Sequence, residues 1–153
     1  MPTQKLKDFL DSQNIKYVTV QHSLAFTAID IAKSAHIPIK VMAKTVIIKI
    51  EGKPAMVVLP AAFKMNLEIL QEALNVEDIK LATEQEFSSL FPDCEVGAMP
   101  PFGNLYGMDV FISESISEQD EIAFNAGSHS EVIRMNYKDY ENLVTPSLIV
   151  LSL

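Results

Sequence analysis

The sequence predicts an α+β fold: one domain over residues 1–153, with a mixed, mainly antiparallel sheet or open barrel and surrounding helices. Three observations predict it. Two β-rich runs, Lys44–Ile50 and Pro54–Pro60, flank the turn residues Glu51, Gly52 and Lys53 and read as a hairpin. Both runs are apolar on both faces, which places the hairpin centrally in a covered sheet. The helical segments fall irregularly between strands, without the regular alternation that a doubly wound parallel sheet requires.

The remaining elements follow from local pattern. Leu6, Phe9 and Leu10 at helical spacing predict an amphipathic helix over Thr3–Gln13, stopped by Asn14. Tyr17–His22 alternates as a strand. Thr27 with Asp30 is an Asp variant of the capping box and opens a helix to about His36, which Pro38 separates from the hairpin. Asn66 caps a helix to Leu74 that gathers Leu67, Leu70 and Leu74 on one face. Ile79–Ala82 is a short strand, and Thr83 with Glu86 is a capping box for a helix ending before Pro92. Met108–Ile112 and Glu131–Met135 read as strands, and Ser117–Glu121 as an acidic turn or helix start. Ile122–Asn125 is compatible with either state, Tyr137–Leu143 is a small helix, and Ser147–Leu153 is the last strand.

Composition narrows the function classes. With 153 residues, 48% hydrophobic and 21% charged, the chain can bury a substantial core. No apolar run approaches the roughly 20 residues of a membrane helix, so no membrane partner is expected. The first ten residues read as neither a signal nor a transit peptide. One cysteine excludes an internal disulfide, and three dispersed histidines predict no metal site. Phosphate-binding GxGxxG and GxxxxGK[ST] motifs are absent, so no cofactor is expected. A cytoplasmic, reducing compartment fits this set. The net charge of −8 argues against a broad nucleic-acid surface. Its distribution is uneven: Lys33, Lys40, Lys44, Lys49, Lys53 and Lys64 face the single acid Glu51 between residues 33 and 64. Such a segment can meet a few phosphates, or its lysines can simply be solvated.

Three places could carry chemistry. Gly97, Ala98, Met99, Pro100, Pro101, Phe102 and Gly103 form a stretch too rich in Gly and Pro for a helix or a good strand. It is either a rigid turn or a shaped loop presenting backbone N–H groups. Lys44 opens the central strand, where its ammonium can hold a phosphate or carboxylate or point to solvent. Gly127, Ser128 and His129 precede a late strand. Adjacent Ser and His on an extended chain face opposite sides, so they do not read as a nucleophile–base pair. Cys94 lacks a helix N-terminus or basic neighbour to activate it. His22 and His36 show no ligand spacing, and the seven methionines read as core filler.

Lys44–Thr45 at a strand start, Gly97-x-x-x-Pro101 in a loop and Gly127–Ser128–His129 before a strand occur in that order. In this the chain resembles the YbaK-like superfamily, the editing domain also found inserted in bacterial prolyl-tRNA synthetases, over nearly its whole length. The resemblance implies a freestanding aminoacyl-tRNA deacylase that hydrolyses the ester of a mischarged tRNA, such as tRNAPro carrying Ala or Cys. It implies that Lys44 anchors the terminal adenosine and that the Gly97–Pro101 loop binds the ester carbonyl. Catalysis would then rest on Lys44, Gly97 and Pro101. Thr45, Ala98, Met99, Pro100, Phe102, Gly127, Ser128, His129 and His22 would contact substrate. The implied partner is the acceptor end of tRNA, with an aminoacyl-tRNA synthetase as a further candidate; the oligomeric state stays open. The alternative is a non-catalytic module that holds an aminoacyl or nucleotide ligand in the same cleft.

Overall fold

The computed structural model describes residues 4–21, 28–95 and 98–150. The hairpin is its centre. Strands β2 (Ala43–Ile50) and β3 (Lys53–Pro60) pair antiparallel from Ala43–Pro60 to Ile50–Lys53. The chain reverses through Glu51 and Gly52, both at positive φ. Around this hairpin a five-stranded sheet runs in the order β4 (Ile79–Leu81), β2, β3, β5 (Asp109–Ser113), β8 (Ser147–Ile149). The β3–β5 and β5–β8 pairs are parallel, so the sheet is mixed. A second sheet is antiparallel, in the order β1 (Tyr17–Gln21), β7 (Glu131–Asn136), β6 (Glu121–Asn125). The two sheets do not close into a barrel.

Helices cover these sheets where the sequence supplies caps. Helix α1 is Gln4–Ser12, α2 is Ala28–Ser34, and α3 is Leu67–Leu74. The Asn66 side chain accepts from the Glu68 and Ile69 N–H groups at 2.9 and 3.2 Å, and Asn75 closes α3 in the left-handed region. Helix α4 (Glu84–Ser88) carries the full Thr83–Glu86 capping box but ends earlier than the sequence suggests. A single turn, α5 (Glu114–Ser117), follows β5, and α6 (Tyr137–Val144) starts on an Asn136 cap. The Thr27 box and residues 151–153 of the last predicted strand lie outside the described residues.

The main core lies between the sheets. Leu6 and Leu10 of α1, Ile47, Met56, Val58 and Ile112 of the large sheet, and Ile122, Phe124 and Ile133 of the small one meet there with Tyr137 and Tyr140 of α6. The opposite face of the hairpin packs Ile48, Val57 and Leu59 against Leu70 of α3. Both faces of the hairpin are therefore covered, as its composition requires. A third cluster joins Ile31 and Ala32 of α2 to Met42, Ala61, Ala123 and Val132. This cluster sits where the two sheets meet, beside the start of β2.

Candidate active site

Lys44 is the second residue of β2, opposite Leu59. Just before it, Met42 makes an isolated parallel bridge to Ala123 of β6, and its carbonyl accepts the Ala61 N–H at 2.8 Å. The bridge brings the small sheet against the mouth of β2. Lys44 and Asn125 each lie two residues beyond this bridge on their own strands. Lys44 is half-buried and makes no ion pair or hydrogen bond among the described residues. Burial lowers its pKa. A partly desolvated ammonium of this kind attracts an incoming anion or carbonyl more strongly than a solvated one does. Thr45, the next residue, faces the other side of β2, opposite Val58 of the main core.

The Gly/Pro loop is fixed by bonds at its flanks. The Ala98 N–H donates to the Glu95 carbonyl at 3.0 Å, and the Phe102 N–H to the Pro100 carbonyl at 2.8 Å. Pro100 and Pro101 have no N–H. Among residues 98–102, the backbone donor without a partner in the described residues is therefore Met99. Buried Tyr140 donates its hydroxyl to the Pro101 carbonyl at 2.6 Å. Phe102 is fully buried, with ring centroids 5.4 Å from Phe124 and 5.3 Å from Tyr140, both edge-on. Phe102 and the Met99 side chain thus belong to the core and anchor the loop from behind. At Gly103 an added Cβ would lie 2.6 Å from Val110 Cγ2 and 2.8 Å from the Met108 carbonyl oxygen, so only glycine fits.

The second loop is bonded directly to the first. The Glu95 N–H donates to the Gly127 carbonyl at 2.7 Å, and the Gly127 N–H to the Ala98 carbonyl at 2.9 Å. Gly127 adopts φ +97°, a conformation that L side chains resist, so the residue type is demanded by the backbone. Ser128, His129 and Glu131 are buried. The Ser128 hydroxyl lies 3.4 Å from that of Ser130, and no imidazole is paired with it among the described residues. Cys94 contacts Asp93 and Tyr106, each at 3.7 Å, and burial pushes its thiol up to about 11. A thiol so shifted is a poor nucleophile at neutral pH. Among the described residues no group of three His, Cys, Asp or Glu side chains is placed to hold a metal.

Two of the three sequence-predicted places, Ala98–Pro101 and Gly127–His129, are thus joined by backbone hydrogen bonds. The third, Lys44, lies beside the strand that leads into Gly127. His22 and Gly97 fall outside the described residues. Sequence reasoning missed Asn125 and the anchor Tyr140. Asn125 did leave a signal, as the one polar residue between Ile122 and Ala126.

A sequence profile of the aminoacyl-tRNA editing domain matches residues 22–143, which includes all three places. The chain belongs to this family. Solved structures share the fold of this editing domain at low identity. A proposed trans-editing enzyme for prolyl tRNA synthetase superposes with a TM-score of 0.81 at 15% identity, covering 98% of this chain and 97% of that one. The hypothetical protein APE2540 gives 0.82 at 14% identity, with 95% and 97% covered. A scaffold from epitope backbone grafting by computational design gives 0.82 at 14%, with 99% and 96% covered. By sequence, no curated protein matches the chain. No described helix is long and apolar enough to cross a membrane.

Proposed function

We propose that this editing domain is an aminoacyl-tRNA deacylase that acts in trans on tRNA, tRNAPro above all, carrying a small wrong amino acid such as Ala or Cys. The observations that support the proposal are the backbone bonds joining the Ala98–Pro101 and Gly127–His129 loops, and the bridge from the strand before Gly127 to Met42, two residues before the half-buried Lys44. In this reading Lys44 engages the phosphate or ribose of the terminal adenosine. The ester carbonyl oxygen accepts from backbone N–H groups of the Gly97–Pro101 loop, that of Met99 among them. A donor fixed before the reaction stabilises the oxyanion without reorganising, which lowers the barrier in the absence of a protein nucleophile. Water adds to the carbonyl carbon, the C–O bond to the ribose breaks, and the released ribose oxygen takes a proton. The products are the free amino acid and intact tRNA.

Pro100, Ser128, His129 and His22 complete the substrate contacts in this proposal, whereas Thr45, on the main-core side of β2, supports the strand rather than touching substrate. Phe102 contributes by holding the loop rather than by touching substrate. Exposed Lys33 and Lys40 lie on segments of the third core cluster and, with exposed Lys64, would meet acceptor-stem phosphates. A synthetase that delivers the tRNA fits the short reach of one domain. The fit of a cytoplasmic site of action follows from the substrate.

The test is a panel of tRNAs, tRNAPro included, each charged with Ala, Cys, Ser or its cognate amino acid, with release followed by filter assay. Faster release of one wrong amino acid than of the cognate is expected. Tight binding of aminoacyl-adenosine analogues without turnover of any substrate would favour the non-catalytic binding module.

A further inference from the structure

Asn125 is the odd member of its strand. Ile122, Ala123, Phe124 and Ala126 around it are buried and apolar, and Asn125 itself is only 8% exposed. Its Oδ1 is buried and has no hydrogen-bond partner among the described residues. Buried acceptors are nearly always satisfied, so an unpaired one is a place where a ligand's donor can bind.

The direction of this acceptor follows from register. Asn125 is the cross-strand partner of Val132, which belongs with Ala123 and Met42 to the third core cluster. Side chains two residues apart on a strand share a face, so Asn125 lies on the face of Ala123 and Lys44 on that of Met42. The parallel bridge between Met42 and Ala123 makes these one face. The Lys44 ammonium and the buried, unpaired Asn125 acceptor therefore lie on one face, each two residues beyond the bridge that joins the two sheets.

The pair selects among ligand groups. A phosphate would satisfy Lys44 but has no hydrogen to give Oδ1. The α-ammonium of an amino acid could donate to Oδ1, but it would be brought against the Lys44 charge in a poorly solvated place. A hydroxyl both accepts and donates, and so satisfies the two together. Resting on the deacylase reading above, we propose that Asn125 is a substrate-binding residue whose Oδ1 accepts a hydrogen bond from the free ribose hydroxyl adjoining the aminoacyl ester. The pair then distinguishes a ribose 3′ end from a deoxyribose one and fixes the ester relative to the Met99 N–H.

The experiment is a binding cycle with two non-hydrolysable probes. Both are adenosines carrying an amino acid through a 3′-amide, one with the 2′-hydroxyl and one with hydrogen there. The amino acid is the one that wild type releases fastest in the tRNA panel, or alanine if it releases none. Calorimetry should show wild type binding the hydroxylated probe about tenfold more tightly, a difference of about 1.4 kcal/mol. In Asn125→Ala and in Asn125→Leu the ratio should fall below about twofold, with the melting temperature unchanged or raised because an unsatisfied acceptor has been removed. A ratio that survives both substitutions overturns the proposal. So does equal weakening of both probes together with a lowered melting temperature, or failure of wild type to bind either probe. If the ratio depends on Asn125 but wild type hydrolyses no charged tRNA, the deacylase reading falls and the Asn125 assignment stands. If tRNA is deacylated while the ratio ignores Asn125, the assignment falls alone.

Discussion

Lys44 and Lys49 sit five residues apart on the same central strand, and their surroundings are opposite. Lys49 bonds the Glu86 carboxylate, which also accepts the Thr83 N–H at 3.0 Å in the α4 capping box. Its charge is neutralised locally and ties β2 to the helix beyond β4. Lys44 has no such carboxylate among the described residues and is partly desolvated at the junction of the sheets. Exposure alone does not separate them, since both are half-buried. What separates them is whether the fold spends the charge. A lysine whose charge is matched within the chain holds structure together; one left unmatched is available to a ligand.

The largest expected effect comes from setting the two lysines against each other. Lys44→Ala should lower kcat/KM for the best substrate of the tRNA panel by about 100-fold or more, the size of loss seen when a pre-aimed electrostatic contact is removed. Its melting temperature should stay within a few degrees of wild type, because a desolvated charge contributes little to stability. Lys49→Ala should keep deacylation within about twofold. Equal losses in the two variants would remove the functional distinction drawn between them.

An intermediate effect is expected at Tyr140, which lies on the site side of the comparison but touches only the back of the loop. Tyr140→Phe keeps the ring packing on Phe102 and leaves the buried Pro101 carbonyl without its donor. A stability loss of about 1–3 kcal/mol in chemical denaturation follows from the unsatisfied acceptor. The loop that carries Met99 also loses one of its fixings, so kcat/KM should fall by about 3- to 10-fold. Unchanged denaturation and unchanged turnover together would show that the loop is held by other contacts.

The same contrast explains which parts of the molecule were legible in its sequence. The hairpin, the Asn66 cap and the Thr83–Glu86 box depend on residues close in the chain, and local chemistry specifies them. Helix α5 was missed because Glu114–Ser117 is a single turn with no apolar period of its own. The parallel pairing of β5 with β3 and β8 was unreadable for another reason: it joins strands separated by tens of residues, and nothing in a strand names its neighbour. At the site, Gly127 announced itself through the backbone it must adopt, and Lys44 through its place at a strand start. The bonds that join Gly127 to Ala98 and Glu95 were not legible, because backbone groups carry no residue code. Asn125 sat in a segment that fitted helix or strand equally. Only once β6 existed did its polarity become an anomaly.

The smallest expected effect isolates the Lys49 pairing and should leave function untouched. The Lys49 hydrogen bond, followed by the Thr83 N–H, holds the Glu86 carboxyl at about 2, below the roughly 4.3 of an unfolded glutamate. A depressed carboxyl pKa stabilises the fold above the unfolded value, and that contribution is lost as pH falls towards 2. Glu86→Gln retains a side chain able to complete the capping box while removing the charge that Lys49 meets. The denaturation midpoints of wild type and Glu86→Gln should therefore differ slightly at pH 6 and converge as the pH approaches 2. Because Glu86 is exposed, 1 M salt should shrink the difference at pH 6 as well. Convergence in acid without any salt effect would assign the shift to the Thr83 bonds rather than to Lys49. Lys49 would then be as unspent as Lys44, and the contrast between them would be lost.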